Sequence, residues 1–444
     1  KYMTRKITTL IVESQQQFED FFMINLHTWI GAQTTMAKNT QMALEKLNEP
    51  NEIDLILCRK NMKGEKVLEL IKSFLESKGS NIPIICIGAT ESDTATTPIE
   101  SALDIKAIIQ ASAKALNVTA KDMVEMVLPE YFPVAIQHFH LIDEPICNVY
   151  RQEEEDENQY KLYLPKFTQI PPAALKNYIA EGHTHLYIKK DQRLNFVNNI
   201  NQEIASKLEL KTLNQDEQIS AVEMSQSLLQ EKIARLGVTD ETIELAQRNL
   251  KYMVQSSKKV STLKGLLKRL LKNKAGYHFK HSQILMSVAT HLMDQLDWGN
   301  EEQREKLQFI GFFHDISLQN SAQAQIHSDQ ELKESNLSPA EKELVKKHAQ
   351  MSATIAAQYP NTPIGVEQII KQHHGTTNGI GFSEHYSQNI SPMAIVFILS
   401  EDFVDHLLKN PKEFNHKLKI QQMRKRYETQ RFQKIIDALE SLVI

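Results

Sequence analysis

Cysteine is scarce in this chain of 444 residues, which contains only Cys58, Cys86 and Cys147. Three scattered cysteines cannot build a disulfide framework, and they lack the CxxC spacing of a zinc or redox motif. This usage is typical of a protein in a reducing cytosol. We therefore expect a cytoplasmic location.

Long apolar runs and a bulk charge of either sign are also missing. No run approaches the roughly 18 apolar residues that a membrane span requires, and the first residues lack the pattern of a secretory signal. The 51 Lys and Arg nearly balance the 55 Asp and Glu, which leaves a net charge of -4. We expect no membrane span and no nucleic acid polymer as partner, because an anionic ligand would have to be bound by a local site.

The chain is too long for one hydrophobic core, so several domains are expected. In residues 1–125, strand-like runs at 6–12, 54–58 and 82–87 alternate with helix-like runs, which is typical of a doubly wound α/β domain. Their order resembles a response-regulator receiver domain. The resemblance implies a phosphorylation site, but the acidic pair falls on Glu13-Ser14, the phosphoacceptor on Arg59 and the switch position on Gly88. Because an arginine cannot accept a phosphoryl group, we predict a degenerate receiver.

The next two segments carry no recognisable chemistry. Residues 126–200 contain short β-like runs broken by turns, and they predict a small β-rich module. Residues 201–272 have helical spacing and polar faces. They predict a linker or dimerisation region, and the sequence does not decide between helices that cap the next domain and helices that form a homodimer seam.

Residues 273–444 contain the strongest chemical signal, a His314-Asp315 doublet that follows an apolar helical run. One histidine stands upstream and one downstream, and a histidine doublet and a late aspartate follow. These companions are His281, His348, His373, His374 and Asp402. Imidazoles and carboxylates in this mixture suit first-row divalent metals such as Fe or Mn.

The order of these residues, followed by a glycine-rich loop at 375–383, resembles the HD-GYP family, whose members hydrolyse cyclic di-GMP. The resemblance implies an all-α domain that holds two divalent metal ions. It assigns one metal to His281, His314, Asp315 and Asp402, and the other to Asp315, His348, His373 and His374, with Asp315 bridging. His314 and Asp315 would be catalytic, and the loop residues Gly379, Gly381 and Phe382 would contact substrate.

The departures from the family pattern concern the substrate rather than the metals. Leu318 replaces the lysine of the HDxGK signature, and Gly381-Phe382-Ser383 replaces GYP. Tyr277 stands where some members place a glutamate for a third metal, so we predict two metals. The match to the family pattern is thus weaker at the phosphate-binding positions than at the metal-binding positions.

Two functions follow from these residues. The first is a metal-dependent phosphodiesterase that acts on cyclic di-GMP or a related cyclic dinucleotide, with weak turnover because the lysine and GYP are absent. The alternative is a catalytically silent cyclic-dinucleotide sensor or adaptor that keeps the metal site and contacts signalling proteins. A phosphohydrolase of other nucleotides, such as dNTP or (p)ppGpp, fits the His373-His374 doublet and its loop less well.

Overall fold

The structure is a computed structural model that describes residues 7–50, 52–119, 129–153, 159–258, 262–273 and 275–442. The chain divides into two compact units, Lys1–Met224 and Ser225–Ile444. In the described ranges, no helix is both long enough and apolar enough to cross a membrane.

The first unit begins with a five-stranded parallel sheet in the order β2-β1-β3-β4-β5. This strand order is that of a doubly wound fold of the flavodoxin type, with a helix after β1, β2, β3 and β5. The predicted α/β architecture is therefore present. The strands are β1 (Thr8–Val12), β2 (Gln33–Ala37), β3 (Leu55–Arg59), β4 (Ile84–Ile87) and β5 (Thr96–Ile99), and the helices are α1 (Gln16–Ile30), α2 (Thr40–Asn48), α3 (Val67–Lys78) and α4 (Ile105–Ala115).

The inner strands β1, β3 and β4 are buried on both faces of the sheet, which explains their continuous apolar runs. Successive side chains point to opposite faces. Leu10, Ile56 and Cys86 belong to one apolar cluster, which also contains Val67 of α3. Ile11, Leu57 and Ile85 belong to a second cluster, to which α1 contributes three phenylalanines.

The second cluster continues into the β-rich segment. A four-stranded antiparallel sheet in the order β6-β9-β7-β8 follows the parallel sheet. Phe132, Ile188 and Phe196 of this segment lie in the same core as the residues of α1, so the expected boundary near residue 125 does not separate two cores. The elements are β6 (Tyr131–Ala135), β7 (Val149–Gln152), β8 (Tyr160–Leu164), α5 (Pro172–Ala180), β9 (His185–Lys189) and α6 (Arg193–Lys207).

The position expected for a phosphoacceptor holds a buried ion-pair cluster. The Arg59 guanidinium donates to Glu13 at 2.6 Å and to Glu217 at 3.3 Å, and it lies over the ring of Phe18. Glu217 belongs to helix α7 (Gln215–Leu236), where it completes a capping box with Asn214. The start of α7 is thereby held at the carboxyl edge of the parallel sheet.

The second unit is helical in all its described elements. Helix α7 continues into it, and α10 packs against both α11 and α16 at its centre, with Leu285, Phe312 and Phe397 fully buried. The helices after α7 are α8 (Asp240–Lys258), α9 (Leu263–Lys272), α10 (Tyr277–Asp294), α11 (Glu301–Phe313), α12 (Ser321–Ala324), α13 (Asp329–Glu334), α14 (Pro339–Ala357), α15 (Val366–Gln372), α16 (Pro392–Lys409), α17 (His416–Arg426) and α18 (Gln430–Glu440).

The segment 201–272, predicted as linker or dimerisation region, is divided between the two units, and its part from Ser225 onward belongs to this one. Helix α8 contacts α11, and α9 contacts α10. The leucines Leu266, Leu267 and Leu270 of α9 are buried in these contacts. These two helices therefore cap the helices that follow them.

Candidate metal centre

Five helices bring a group of imidazoles and carboxylates to one place. His281 lies on α10, and Gly311 allows α11 to approach that helix closely, because a Cβ at Gly311 would lie 3.1 Å from the Cβ of Met286. His314 directly follows α11 and Asp315 is its neighbour. The other members come from α14, from the end of α15 and from α16, and they are His348, His373, His374 and Glu401. All seven side chains are buried.

Three of the histidines are held by the backbone of their own helices. The Nδ1 atoms of His314, His348 and His373 lie within hydrogen-bond distance of the carbonyls of Gly311, Val345 and Ile370. Because a carbonyl oxygen only accepts, each Nδ1 must donate its hydrogen. In the neutral ring the Nε2 lone pair is then directed away from the helix, which is the tautomer that a metal-binding histidine needs.

One group of nitrogens has the spacing of a coordination polyhedron. The Nε2 atom of His348 lies 3.1 Å from Nε2 of His373 and 3.1 Å from Nε2 of His374. Ligands at the usual metal–nitrogen distance of about 2.0–2.1 Å are separated by roughly 3.0–3.4 Å along an edge. These three imidazoles are therefore spaced to share one cation.

A second group adjoins the first through Asp315. The Nε2 atom of His314 lies 3.3 Å from Oδ2 of Asp315, whereas the Nε2 atom of His348 lies 3.3 Å from Oδ1 of the same carboxylate. Oε1 of Glu401 lies 3.8 Å from Nε2 of His281 and 3.9 Å from Nε2 of His314. Each oxygen of Asp315 thus faces a different histidine group, as a bridging carboxylate does.

Several atoms in the centre have no hydrogen-bond partner among the described residues. They are Nε2 of His281, Nε2 of His314, Nδ1 of His327 and Oε1 of Glu401. Buried polar atoms normally have a partner, because burial without one costs free energy. A divalent cation would satisfy these atoms, so the donor set fits a metal.

The local electrostatics favour the ligand forms of several residues. Burial would raise the pKa of Asp315, but His314 and His348 hold it well below its usual range. The pKa of Glu401 is likewise lowered by His374 and His373 against the effect of burial. Burial lowers the pKa of His373 to about 4 and that of His374 well below its usual value. At neutral pH the carboxylates are charged and these two imidazoles are neutral, as metal binding requires.

A pocket of about 390 Å³ opens beside this centre. His373, His374 and Glu401 form part of its wall, and Phe382, Tyr386 and Tyr427 supply aromatic rings. The volume lies in the range of small-ligand sites, which is roughly 300–1,000 Å³. A ligand in this pocket would reach the centre directly.

One comparison with known protein families identifies the C-terminal region. A family model described as HD domain matches residues 278–440. The C-terminal part of the chain is an HD domain. A solved structure described as Bd1817, a HDG"Y"P protein from Bdellovibrio bacteriovorus, is similar to this chain at 16% identity and a TM-score of 0.34, covering 70% of this chain and 98% of that chain. No curated protein sequence matches.

The HD domain brings together six of the seven expected ligands and places the seventh elsewhere. Asp402 lies next to Glu401 on α16, but one residue turns a helix by about 100°. The carboxylate of Asp402 pairs with Lys419 at 3.0 Å and Arg426 at 3.2 Å. Glu401 faces the histidines in its place, which the motif spacing did not reveal because Asp402 fitted the family register.

His327 is a further residue of the HD domain centre that the sequence did not indicate. Its Nδ1 atom lies 3.6 Å from Glu401, and its Nε2 atom lies 3.3 Å from Asp405 and 3.2 Å from the Tyr277 hydroxyl. Burial would lower its pKa, but Asp405 and Glu401 raise it to about 9. His327 lies in a loop between α12 and α13, outside any motif, so only the folded chain places it here.

Of the three residues expected to contact substrate, one lines the pocket and two hold a loop of the HD domain. Phe382 lines the pocket, with its ring 4.6 Å from that of His374. Gly379 has a φ of 77°, and a Cβ there would lie 2.8 Å from the backbone nitrogen of Gln350 on α14. Gly381 donates its backbone N–H to the backbone carbonyl of Lys346, also on α14. The two glycines hold the loop against α14. Leu318 is buried in an apolar cluster.

Proposed function

We propose that the HD domain is a metal-dependent phosphohydrolase with two metal positions. One position would be formed by His281, His314, Asp315 and Glu401. The other would be formed by Asp315, His348, His373 and His374. The observation that carries this proposal is the division of the two Asp315 oxygens between the histidine groups.

Two cations bound at such a centre would supply an activated water and offset the negative charge of a phosphoester. The residues of the chain supply the remaining requirements. Asp315 and Glu401 bring anionic oxygens to the buried site, and the backbone contacts of His314, His348 and His373 fix the ring orientations. Mixed imidazole and carboxylate ligands favour Fe or Mn as the metals.

The substrate that we propose is cyclic di-GMP or a related cyclic dinucleotide. The pocket beside the centre has the aromatic rings Phe382, Tyr386 and Tyr427 in its wall, which are suited to stacking on a nucleobase. The family resemblance of the His373-His374 doublet and its loop supports the same substrate class.

A cyclic-dinucleotide sensor without turnover is the second candidate. The buried position of Leu318 favours it, because a lysine that binds phosphate in the family has been replaced by a residue of the apolar core. Such a domain would keep the metals for folding or ligand binding and would act through signalling proteins.

The deciding experiment compares wild-type protein with Asp315→Ala after purification without oxygen. Metal content and cyclic di-GMP hydrolysis are measured on the same samples, supplied with Fe or Mn. We expect nearly two metals per wild-type chain, loss of both in Asp315→Ala and hydrolysis only by the wild type. Metal binding without hydrolysis would favour the sensor, and unchanged metal content in Asp315→Ala would contradict the bridging role.

A further inference from the structure

The pocket beside the metal centre contains one side chain whose role is not explained by metal binding. Arg426, at the end of α17, is the single lysine or arginine among the described residues that line the pocket. The same lining includes six carboxylates. Glu401 is a proposed metal ligand and Asp402 pairs with Arg426, and the other four carboxylates have neither role. An anionic ligand in such surroundings needs a cation other than the metals.

The neighbouring lysines are not available for that purpose. Lys409 is paired with Asp405 at 3.0 Å and with Glu331, and Lys419 is paired with Asp402 at 3.0 Å. Neither lysine is among the residues of the pocket wall. His327 is also in the wall and its raised pKa makes it a cation, but its two ring nitrogens face Glu401 at 3.6 Å and Asp405 at 3.3 Å. Among the described residues of the wall, Arg426 therefore offers the cationic N–H groups that a ligand can meet.

The guanidinium of Arg426 is oriented before any ligand arrives. Its Nη1 atom donates to Oδ1 of Asp402 at 3.2 Å, and its Cζ atom lies 5.3 Å from the centre of the Tyr427 ring. That ring stacks on Phe432 of α18 at 5.1 Å. About half of the Arg426 side chain remains exposed. A fixed and partly exposed guanidinium presents a planar fork that suits a phosphate.

We propose that Arg426 binds a substrate phosphate that lies outside the metal centre. The proposal rests on the proposed phosphohydrolase function and assigns a binding residue to the second phosphate of the cyclic dinucleotide. One phosphate reaches the metal centre beside His373, His374 and Glu401, and the other meets Arg426. The aromatic residues Tyr386 and Tyr427 contact a base between the two ends.

The test measures binding rather than turnover, with metal-loaded full-length protein. The probes are the non-cleavable phosphorothioate analogue of cyclic di-GMP, which has two phosphates, and the analogue of cyclic GMP, which has one. Dissociation constants are measured by calorimetry for wild type, Arg426→Ala and Arg426→Lys. Lys425→Ala is the matched control, because Lys425 is the exposed neighbour and lies outside the pocket wall.

We expect Arg426→Ala to weaken binding of the two-phosphate probe by roughly tenfold to a hundredfold, as for a lost hydrogen bond between charged groups. Arg426→Lys should fall between wild type and Arg426→Ala, because it keeps the charge but loses the fork. The one-phosphate probe should bind all variants alike, and metal content should not change.

Three results would overturn the role of Arg426. The first is an equal loss of affinity for the two-phosphate probe in Lys425→Ala and Arg426→Ala. The second is loss of metal in Arg426→Ala, and the third is no binding of the two-phosphate probe by wild type. Failure of the proposed hydrolase is seen separately, because wild type that binds the two-phosphate probe but does not cleave cyclic di-GMP leaves the Arg426 assignment intact.

Discussion

At the scale of single residues, the orientation of one helix decides which acid of a neighbouring pair can serve as a ligand. Glu401 and Asp402 differ by one position, yet Glu401 faces five histidines and Asp402 faces two cations. The sequence motif located the acidic ligand to within one residue, and the orientation of the helix determines which of the two side chains faces the histidines.

Substituting these two acids separately tests the assignment. We expect Glu401→Ala to lose most of the metal at the position that includes His281 and His314, because its carboxylate completes that group. Asp402→Ala should retain both metals, since its partners are Lys419 and Arg426. Elemental analysis of both variants gives the answer, and metal loss confined to Asp402→Ala would restore the assignment made from the motif.

Leu318 provides a second prediction at this scale. It is 2% exposed and packs with Ile326, Leu332 and Val345, so Leu318→Lys would place an ammonium group in an apolar cluster. We expect a loss of roughly 3–5 kcal/mol in unfolding free energy, which thermal denaturation of the variant would show. Leu318→Met, which nearly conserves volume, is the control and should cost less than about 1.5 kcal/mol. A Leu318→Lys protein as stable as wild type would show that this position reaches water.

At the scale of secondary-structure elements, the N-terminal turn of α7 is held by a carboxylate that has two roles. Glu217 is 3% exposed, and it caps the helix through the Asn214 backbone N–H while it accepts from Arg59 and from the Ala102 backbone N–H. This side chain fastens the beginning of α7 to the edge of the parallel sheet. The same helix ends at Leu236, within the second unit.

Glu217→Gln should weaken this attachment. The amide keeps one acceptor but loses the charge opposite Arg59, so we expect a loss of about 1–2 kcal/mol and faster hydrogen exchange at Ala102, Asn214 and the first turn of α7. Asp216→Asn, at an exposed position in the same turn, is the matched control and should leave exchange at Ala102 unchanged. Equal exchange in both variants would mean that the Arg59 pair does not hold the helix.

At the scale of the whole molecule, the strand order of the first unit is compatible with the degenerate receiver that the sequence predicts. Arg59 takes up the acceptor position and is neutralised by Glu13 and Glu217. We expect no phosphoryl transfer from acetyl phosphate to this unit, because no carboxylate stands at the acceptor position. Mass spectrometry of the treated protein should find no phosphoaspartate, and a modified aspartate among residues 1–125 would contradict the degenerate-receiver interpretation.

Metal binding should also increase the free energy of unfolding. Among the residues that the structure describes, buried atoms of His281, His314 and Glu401 have no hydrogen-bond partner, and a cation would supply the missing interaction. Loading with Mn at about 100 times the dissociation constant should stabilise the folded chain by roughly 2.7 kcal/mol. A chelator should reverse the rise in melting temperature, and Asp315→Ala should show no rise. An equal rise in Asp315→Ala would indicate binding elsewhere.

The sequence by itself determined the periodic and local features of this protein. Buried strand runs predicted the parallel sheet, and the His314-Asp315 doublet with its companions predicted six of the residues that meet at the centre. Such features depend on neighbouring residues and on spacing along the chain.

Only the tertiary structure decided which distant groups meet. It placed Glu401 rather than Asp402 among the histidines, added His327 from a loop, and put Leu318 into an apolar cluster. It also joined Arg59 to Glu217 across more than 150 residues. Helix rotation and packing determine these contacts. The spacing of a motif does not predict them, because they depend on the elements that pack against each helix.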